Sequence, residues 1–152
     1  MAPGRISDRI VVDRIDWIKK MIHEIGQLPF DSYASFIADK RNIWAAESCL
    51  RRALEALMDL GRHILAKGFG RGVSEYKEIA AGLVAAGIFG PDEGDKLRTL
   101  AGYRNRMVHF YQEISDKELF EICSSQLSDI TCVTDAIREW ISVHHDMIDK
   151  TL

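Results

Sequence analysis

Residues 43–67 read IWAAESCLRRALEALMDLGRHILAK, and the fold turns on this stretch. Ile43, Leu50, Leu54, Leu57, Ile64 and Leu65 recur at helical spacing and form one apolar side, flanked by Trp44 and Met58. Arg51, Arg52, Glu55, Asp59 and Arg62 take the other side. A stripe of this kind is an amphipathic helix with one face toward a core. Neither flank holds a proline to stop it, so the spacing predicts one long helix from about Ser35 to Lys67. The only prolines stand at positions 3, 29 and 91.

Outward from this helix the same pattern continues. Val11, Ile15, Ile18, Ile22 and Ile25 step by four and three, widened by Trp17 and Met21, and predict a first helix from about Ile6 to Gln27. Gly26, Leu28 and Pro29 close it. On the C-terminal side, Ser74 is a candidate N-cap for a short helix that runs to about Ala86 and stops at Gly87. Pro91 suits a first helical position, with Asp92 and Glu93 at the positive end of the helix dipole. That fourth helix reaches at least Tyr103. Ser115 and Glu118 have capping-box spacing. Cys123, Leu127, Ile130, Thr134, Ile137, Ile141, His144 and Ile148 then extend a fifth helix. No stretch alternates as a strand of comparable quality. The expectation is an all-α, up-and-down bundle of four to five helices in a single domain, residues 1–152.

Composition narrows the function classes. Apolar residues make up 47% of the 152 and charged residues 28%, enough for a real core. No apolar run approaches the roughly 18–20 residues of a membrane helix, and the charged N-terminal stretch is no secretory signal. The three cysteines, Cys49, Cys123 and Cys132, form no Cys-x-x-Cys pair, which argues against a disulfide scaffold or zinc knuckle and for a cytoplasmic protein. The net charge of −3 speaks against a general nucleic-acid binder. Its distribution is uneven, however: residues 1–109 hold 17 Lys and Arg against 14 Asp and Glu, whereas 110–152 hold 3 against 9. A local basic site for RNA is compatible with that. The glycines of Gly68-Phe69-Gly70-Arg71-Gly72 invite a phosphate-loop reading, but no strand precedes them and no Lys-Ser/Thr follows.

The chemistry concentrates in residues 101–111, AGYRNRMVHFY, where Arg104, Asn105, Arg106, His109 and Tyr111 fall within eight positions. In an unbroken helix Arg104 and Tyr111 share a face, while His109 lies about 140° from Arg104. Either the helix bends or ends here, or Arg104 reaches around.

This segment resembles the HEPN superfamily, whose ribonucleases carry Arg-x4–6-His, and is most similar to its HepT family, with the motif Arg-x4-His-x-Tyr and Asn after the Arg. The motif is complete in Arg104-Asn105-Arg106-Met107-Val108-His109-Phe110-Tyr111. Residues 52–63 resemble that family's central helix, and 74–79 with 86–88 its short third helix. The glycine-rich loop and the segment before Ile10 depart from the pattern. The resemblance implies a HEPN-type bundle and a homodimeric, metal-independent RNA endonuclease without a cofactor, the toxin of a toxin–antitoxin pair. It further implies that an MntA-like nucleotidyltransferase antitoxin adenylylates Tyr111.

The residue types suit that chemistry. Cutting RNA without a metal uses the ribose 2′-hydroxyl as nucleophile, and it needs a base, an acid and a cation for the phosphorane. Histidine transfers protons near neutral pH, and arginine offers a forked donor to phosphate oxygens. One chain supplies one motif histidine, so a two-fold dimer would bring a second His109 and Arg104 to a common cleft. Asn105 and Arg106 are candidates to bind or support the phosphate. Plainer roles stand beside these: a solvated charge for Arg106, a backbone cap for Asn105, an interface aromatic for Tyr111. His63 reads as a cation at a helix C-terminus, and His144 with His145 lacks metal-pair spacing. Glu55 and Asp59 could order an arginine of the cleft, although a solvated face is the usual outcome for such residues. The competing function is a non-catalytic HEPN binding subunit of a nucleotidyltransferase complex.

Overall fold

The computed structural model describes residues 5–109 and 114–152. Within them the chain forms β1 (Ile6–Ser7), α1 (Asp8–Gly26), α2 (Tyr33–Ile37), α3 (Lys40–Phe69), α4 (Tyr76–Ala85), α5 (Pro91–Val108), α6 (Asp116–Ser125), α7 (Leu127–Ser142), a single 3₁₀ turn (His145–Met147) and β2 (Ile148–Asp149). The fold is the expected all-α bundle. It has seven helical segments because two of the expected helices are each divided.

At 30 residues, α3 is about 45 Å long and is the axis of the molecule. All of the other helices pack on it, α1 most extensively and α7 least. Leu50, Leu54, Leu57, Met58, Leu60, Ile64 and Leu65 are fully buried, which is the predicted apolar stripe extended by one position. Ile43, at the start of that stripe, is only half-buried, and Trp44 is 65% exposed. Packing of α1 uses Val11, Ile15, Ile18, Met21 and Ile25.

The first division falls at Ala38–Asp39, inside the single helix expected from Ser35. Asp39 is extended (φ −131°, ψ 117°) and caps α3 through the Arg41 amide. The Asn42 side chain meanwhile donates to the Phe36 carbonyl at the end of α2. Neither Gly nor Pro marks this break; an aspartate competing for backbone amides makes it. The second division is at Gln126, between α6 and α7, where the Tyr103 hydroxyl donates to Gln126 Oε1 at 2.6 Å. The expected fifth helix also ends early, at Ser142. Ile148 does not continue it but pairs with Ile6 in a two-residue parallel ladder.

Caps differ from expectation in two places. Helix α4 begins at Tyr76 after Glu75, not at a Ser74 cap. At α6 the Ser115 hydroxyl does accept from the Glu118 amide, but the Glu118 carboxylate turns to Arg106 and not back to the cap. Gly68 belongs to α3 and is buried: a Cβ there would sit 2.8 Å from Ile6 Cδ1. Gly70, at φ 64°, is the left-handed C-cap. The glycine cluster is therefore a packing contact and a helix stop. Among the described residues no helix is long and apolar enough to cross a membrane.

Candidate functional site

Helix α5 ends at Val108, and this ending resolves the angular problem of the motif. The His109 amide still donates to the Asn105 carbonyl, but His109 itself is extended (φ −88°, ψ 121°). Leaving the helix frees its imidazole from the 140° phase that regular geometry would impose. Arg104, Asn105 and His109 line one polar cavity of about 520 Å³. The opposite wall comes from Arg62 on α3 and from Ser74 to Lys77 at the entry to α4. Tyr111 lies outside the described residues.

Arg104 is the best-fixed cation there. Its Nε and Nη2 donate to Glu55 Oε2 at 3.2 and 3.1 Å. Its guanidinium carbon sits 4.4 Å from the centroid of the Tyr76 ring, a cation–π distance. Burial and the Asp59 carboxylate hold the Tyr76 phenol above its usual pKa, against the opposing charges of Arg104 and Arg62. Glu55 is thus not on a merely solvated face; it pairs with the motif arginine.

Arg62 lines the cavity, yet its donors are engaged. Nε donates to the Val73 carbonyl at 3.1 Å and Nη2 to the Ser74 carbonyl at 3.4 Å, with Asp59 at 3.8 Å. Its role is to tie the α3–α4 loop down beside Tyr76. Lys77 is the remaining cationic wall residue.

Arg106 points elsewhere. Both of its terminal nitrogens donate to Glu118 at 2.6 Å, a bidentate pair between the last turn of α5 and the first turn of α6. The Arg106 hydrogen bond is the main reason that the Glu118 carboxyl sits below its usual range. Arg106 is therefore not the solvated charge it resembles in the sequence, and it does not line the cavity.

The other histidines stay apart from this site. His63 Nε2 accepts from the Ser7 amide at 2.9 Å, so it is a neutral acceptor and not a C-terminal cation. Nδ1 of His144 meets the Trp140 carbonyl, and its ring stacks on Trp140. Burial pushes the Cys123 thiol up to about 12, as suits a small apolar residue of the core. Among the described residues no group of three or more His, Cys, Asp or Glu is placed to hold a metal ion.

A second open cavity, about 560 Å³, runs along α1 and α3. There Arg14, Lys20 and Arg52 face Asp13, Asp16, Glu55 and Asp59, so the cations are offset and an anionic ligand finds no net attraction. The motif cavity is the better candidate. Sequence reasoning missed Tyr76 and Lys77 as wall residues, since a tyrosine and lysine opening a short helix carry no signal of their own.

A family model for HepT-like proteins, described as ribonuclease HepT-like, matches residues 14–137. No curated protein matches the sequence. Among solved structures, the chain is similar to the tri-AMPylated HEPN toxin of Shewanella oneidensis in complex with MNT antitoxin. The TM-score is 0.77 at 24% identity, over 86% of this chain and 97% of that one. A toxin–antitoxin structure with AMP-PNP gives 0.77 at 23% identity, over 87% and 99%. YutE of Bacillus subtilis, a cytosolic protein of unknown function, gives 0.74 at 19% identity, over 91% and 94%. At these identities the likeness to the solved structures is one of fold.

Proposed function

The chain belongs to the ribonuclease HepT-like family, and on that premise we propose that it is a metal-independent RNA endonuclease, the toxin of a toxin–antitoxin pair. The observation that carries this reading is the convergence of Arg104, Asn105 and His109 on one polar cavity. His109 transfers the proton, as base to the 2′-hydroxyl or as acid to the leaving 5′-oxygen. Arg104 holds the phosphate as charge develops on the phosphorane. Asn105 lies beside Arg104, its Oδ1 3.5 Å from Nη1, and orients that guanidinium toward phosphate. Arg106 supports the site indirectly, by tying α5 to α6. A single His109 supplies only one of the two proton-transfer roles, so the working unit is a homodimer with a composite cleft. The whole chain acts as one HEPN domain, in the cytoplasm.

The test is cleavage of RNA by the purified protein in the presence of chelator. Products ending in 2′,3′-cyclic phosphate are expected, with no cutting of a 2′-deoxy analogue. His109→Ala should lower the rate by at least 10²-fold, the typical contribution of a general acid or base, with RNA binding little changed. Arg104→Ala should weaken both. Activity lost on chelation, or retained in His109→Ala, contradicts the reading, and no cutting at all by the folded protein favours a non-catalytic binding subunit of a nucleotidyltransferase complex.

The control point in this reading is Tyr111, adenylylated by an MntA-like nucleotidyltransferase antitoxin. A tyrosyl phosphodiester adds bulk and negative charge two residues from His109, competing with RNA phosphate for the local cations. The AMPylated state of the Shewanella toxin supports this assignment. Co-expression with the cognate nucleotidyltransferase should give AMP adducts on Tyr111, read by mass spectrometry, together with loss of cutting. Full neutralisation of a folded Tyr111→Phe protein without adducts would exclude it.

A further inference from the structure

Outside the motif, the arrangement around Arg104 raises a question of charge. RNA phosphate is to be bound here, yet a carboxylate stands against the cation meant to bind it. Glu55 is itself fixed. Its Oε1 is 3.4 Å from Arg51, which also pairs with Glu47 at 3.2 Å, and all three residues ride on α3, the helix on which the others pack. Its Oε2 takes both Nε and Nη2 of Arg104. That edge of the guanidinium is therefore occupied, whereas Nη1 makes only a 3.5 Å contact with Asn105 Oδ1, which leaves its second N–H for a ligand. The Tyr76 ring lies against the guanidinium at 4.4 Å and limits tilting. Tyr76 is in turn held by the loop that Arg62 clamps through two backbone carbonyls.

We propose that Glu55 is a positioning residue for Arg104, fixing the rotation of its guanidinium so that the Nη1 edge faces the cavity, with Tyr76 as the backing plane. The inference rests on the ribonuclease reading above for its catalytic consequence. Arginine carries several rotatable bonds, and an unrestrained side chain in a cleft this open would sample many orientations. Presetting the fork removes that cost from the chemical step. A carboxylate also repels the RNA backbone, so it weakens ground-state binding. Glu55 should thus have opposite effects on the two steps, slowing capture of RNA and speeding its cleavage. A residue that merely holds the fold together has no reason to show that opposition.

The experiment measures saturated single-turnover cleavage, the Kd for a non-cleavable 2′-deoxy analogue, and solvent exchange of the Arg104 Nε–H by NMR, assigned through its loss in Arg104→Lys. Glu55→Ala should cut at least tenfold more slowly, bind the analogue several-fold more tightly, and exchange the Nε proton at least tenfold faster. Glu55→Gln keeps an acceptor oxygen without the charge; it should recover part of the rate while retaining the tighter binding. It is also the variant to use should the alanine protein unfold. Wild-type cleavage rates in both variants, or an Nε proton equally protected with and without Glu55, overturn the proposal. If the wild-type protein does not cut RNA, the ribonuclease reading fails by itself, and Nε–H exchange alone decides whether Glu55 positions Arg104.

Discussion

The imidazole of His63 accepts a hydrogen bond from the Ser7 amide, and that one contact changes what the residue is for. An acceptor nitrogen must be unprotonated. Burial, and then the charges of Lys67 and Arg14, hold its pKa below the usual value of 6.5. Because the folded value is the depressed one, the neutral form's contribution to stability is intact above pH 6.5. It is lost as the pH falls from there toward the folded value. The urea midpoint should therefore drop between pH 7.5 and 5.5, a window above most carboxylate titration. His63→Gln retains an acceptor for Ser7 but no titrating group, and it should flatten that difference. An unchanged slope in the variant would assign the pH dependence to other groups. Glu55 shows the same principle at the site: its type and spacing are those of a solvated helix face, and only the approach of α5 gives it Arg104 as a partner.

Between elements, the decisive contact is the seating of α4 on α3. Gly61 has no side chain, and a Cβ there would come within 2.7 Å of Ile79 Cγ2 and 3.2 Å of Leu83 Cδ1. Gly82 on α4 answers it, with Leu65 Cδ1 at 2.7 Å from its own notional Cβ. These two glycines let the helices approach closely enough to bring Tyr76 over Arg104. Gly61→Ala gains about 1 kcal/mol of helix propensity, but overpacking at such a contact costs about 1–3 kcal/mol. The balance should be a net destabilisation of about 1 kcal/mol, read by chemical denaturation, with a slower cleavage rate as α4 is pushed outward. A stabilised variant would mean that Ile79 and Leu83 repack without moving the helix.

For the molecule as a whole, two large apolar side chains stand exposed beside the motif. Trp44 is 65% exposed and Val108 is 44% exposed. Ile43, Trp44, Met107, Ile114 and Leu119 border a common depression next to the end of α5, rimmed by Glu47 and Asp116. This face is the one we assign to the second copy in the proposed composite cleft. Light scattering at micromolar concentration should give twice the 17.2 kDa chain mass, and Trp44→Glu should shift it toward the single chain with loss of cutting. A monomeric wild-type mass would remove the composite site.

The sequence by itself determined the helical class, most of the buried stripes of α1 and α3 (Ile22 and Ile43 are half-buried, Trp17 and Trp44 exposed), and the identity of the motif. Each of these is a local property: periodicity places residues on a face, and a motif is a string of residue types. The breaks at Asp39 and Gln126 were not legible, because an aspartate that caps the Arg41 amide and a glutamine held by the Tyr103 hydroxyl leave no mark as plain as proline. The partners of Arg104, Arg106 and His63 depended on tertiary structure throughout. Glu55 and Arg104 are 49 residues apart, and Ser7 and His63 are 56 apart. Which charged or polar groups meet across such separations is fixed by helix packing, and a carboxylate that will pair in the fold reads in the sequence like one that will face water.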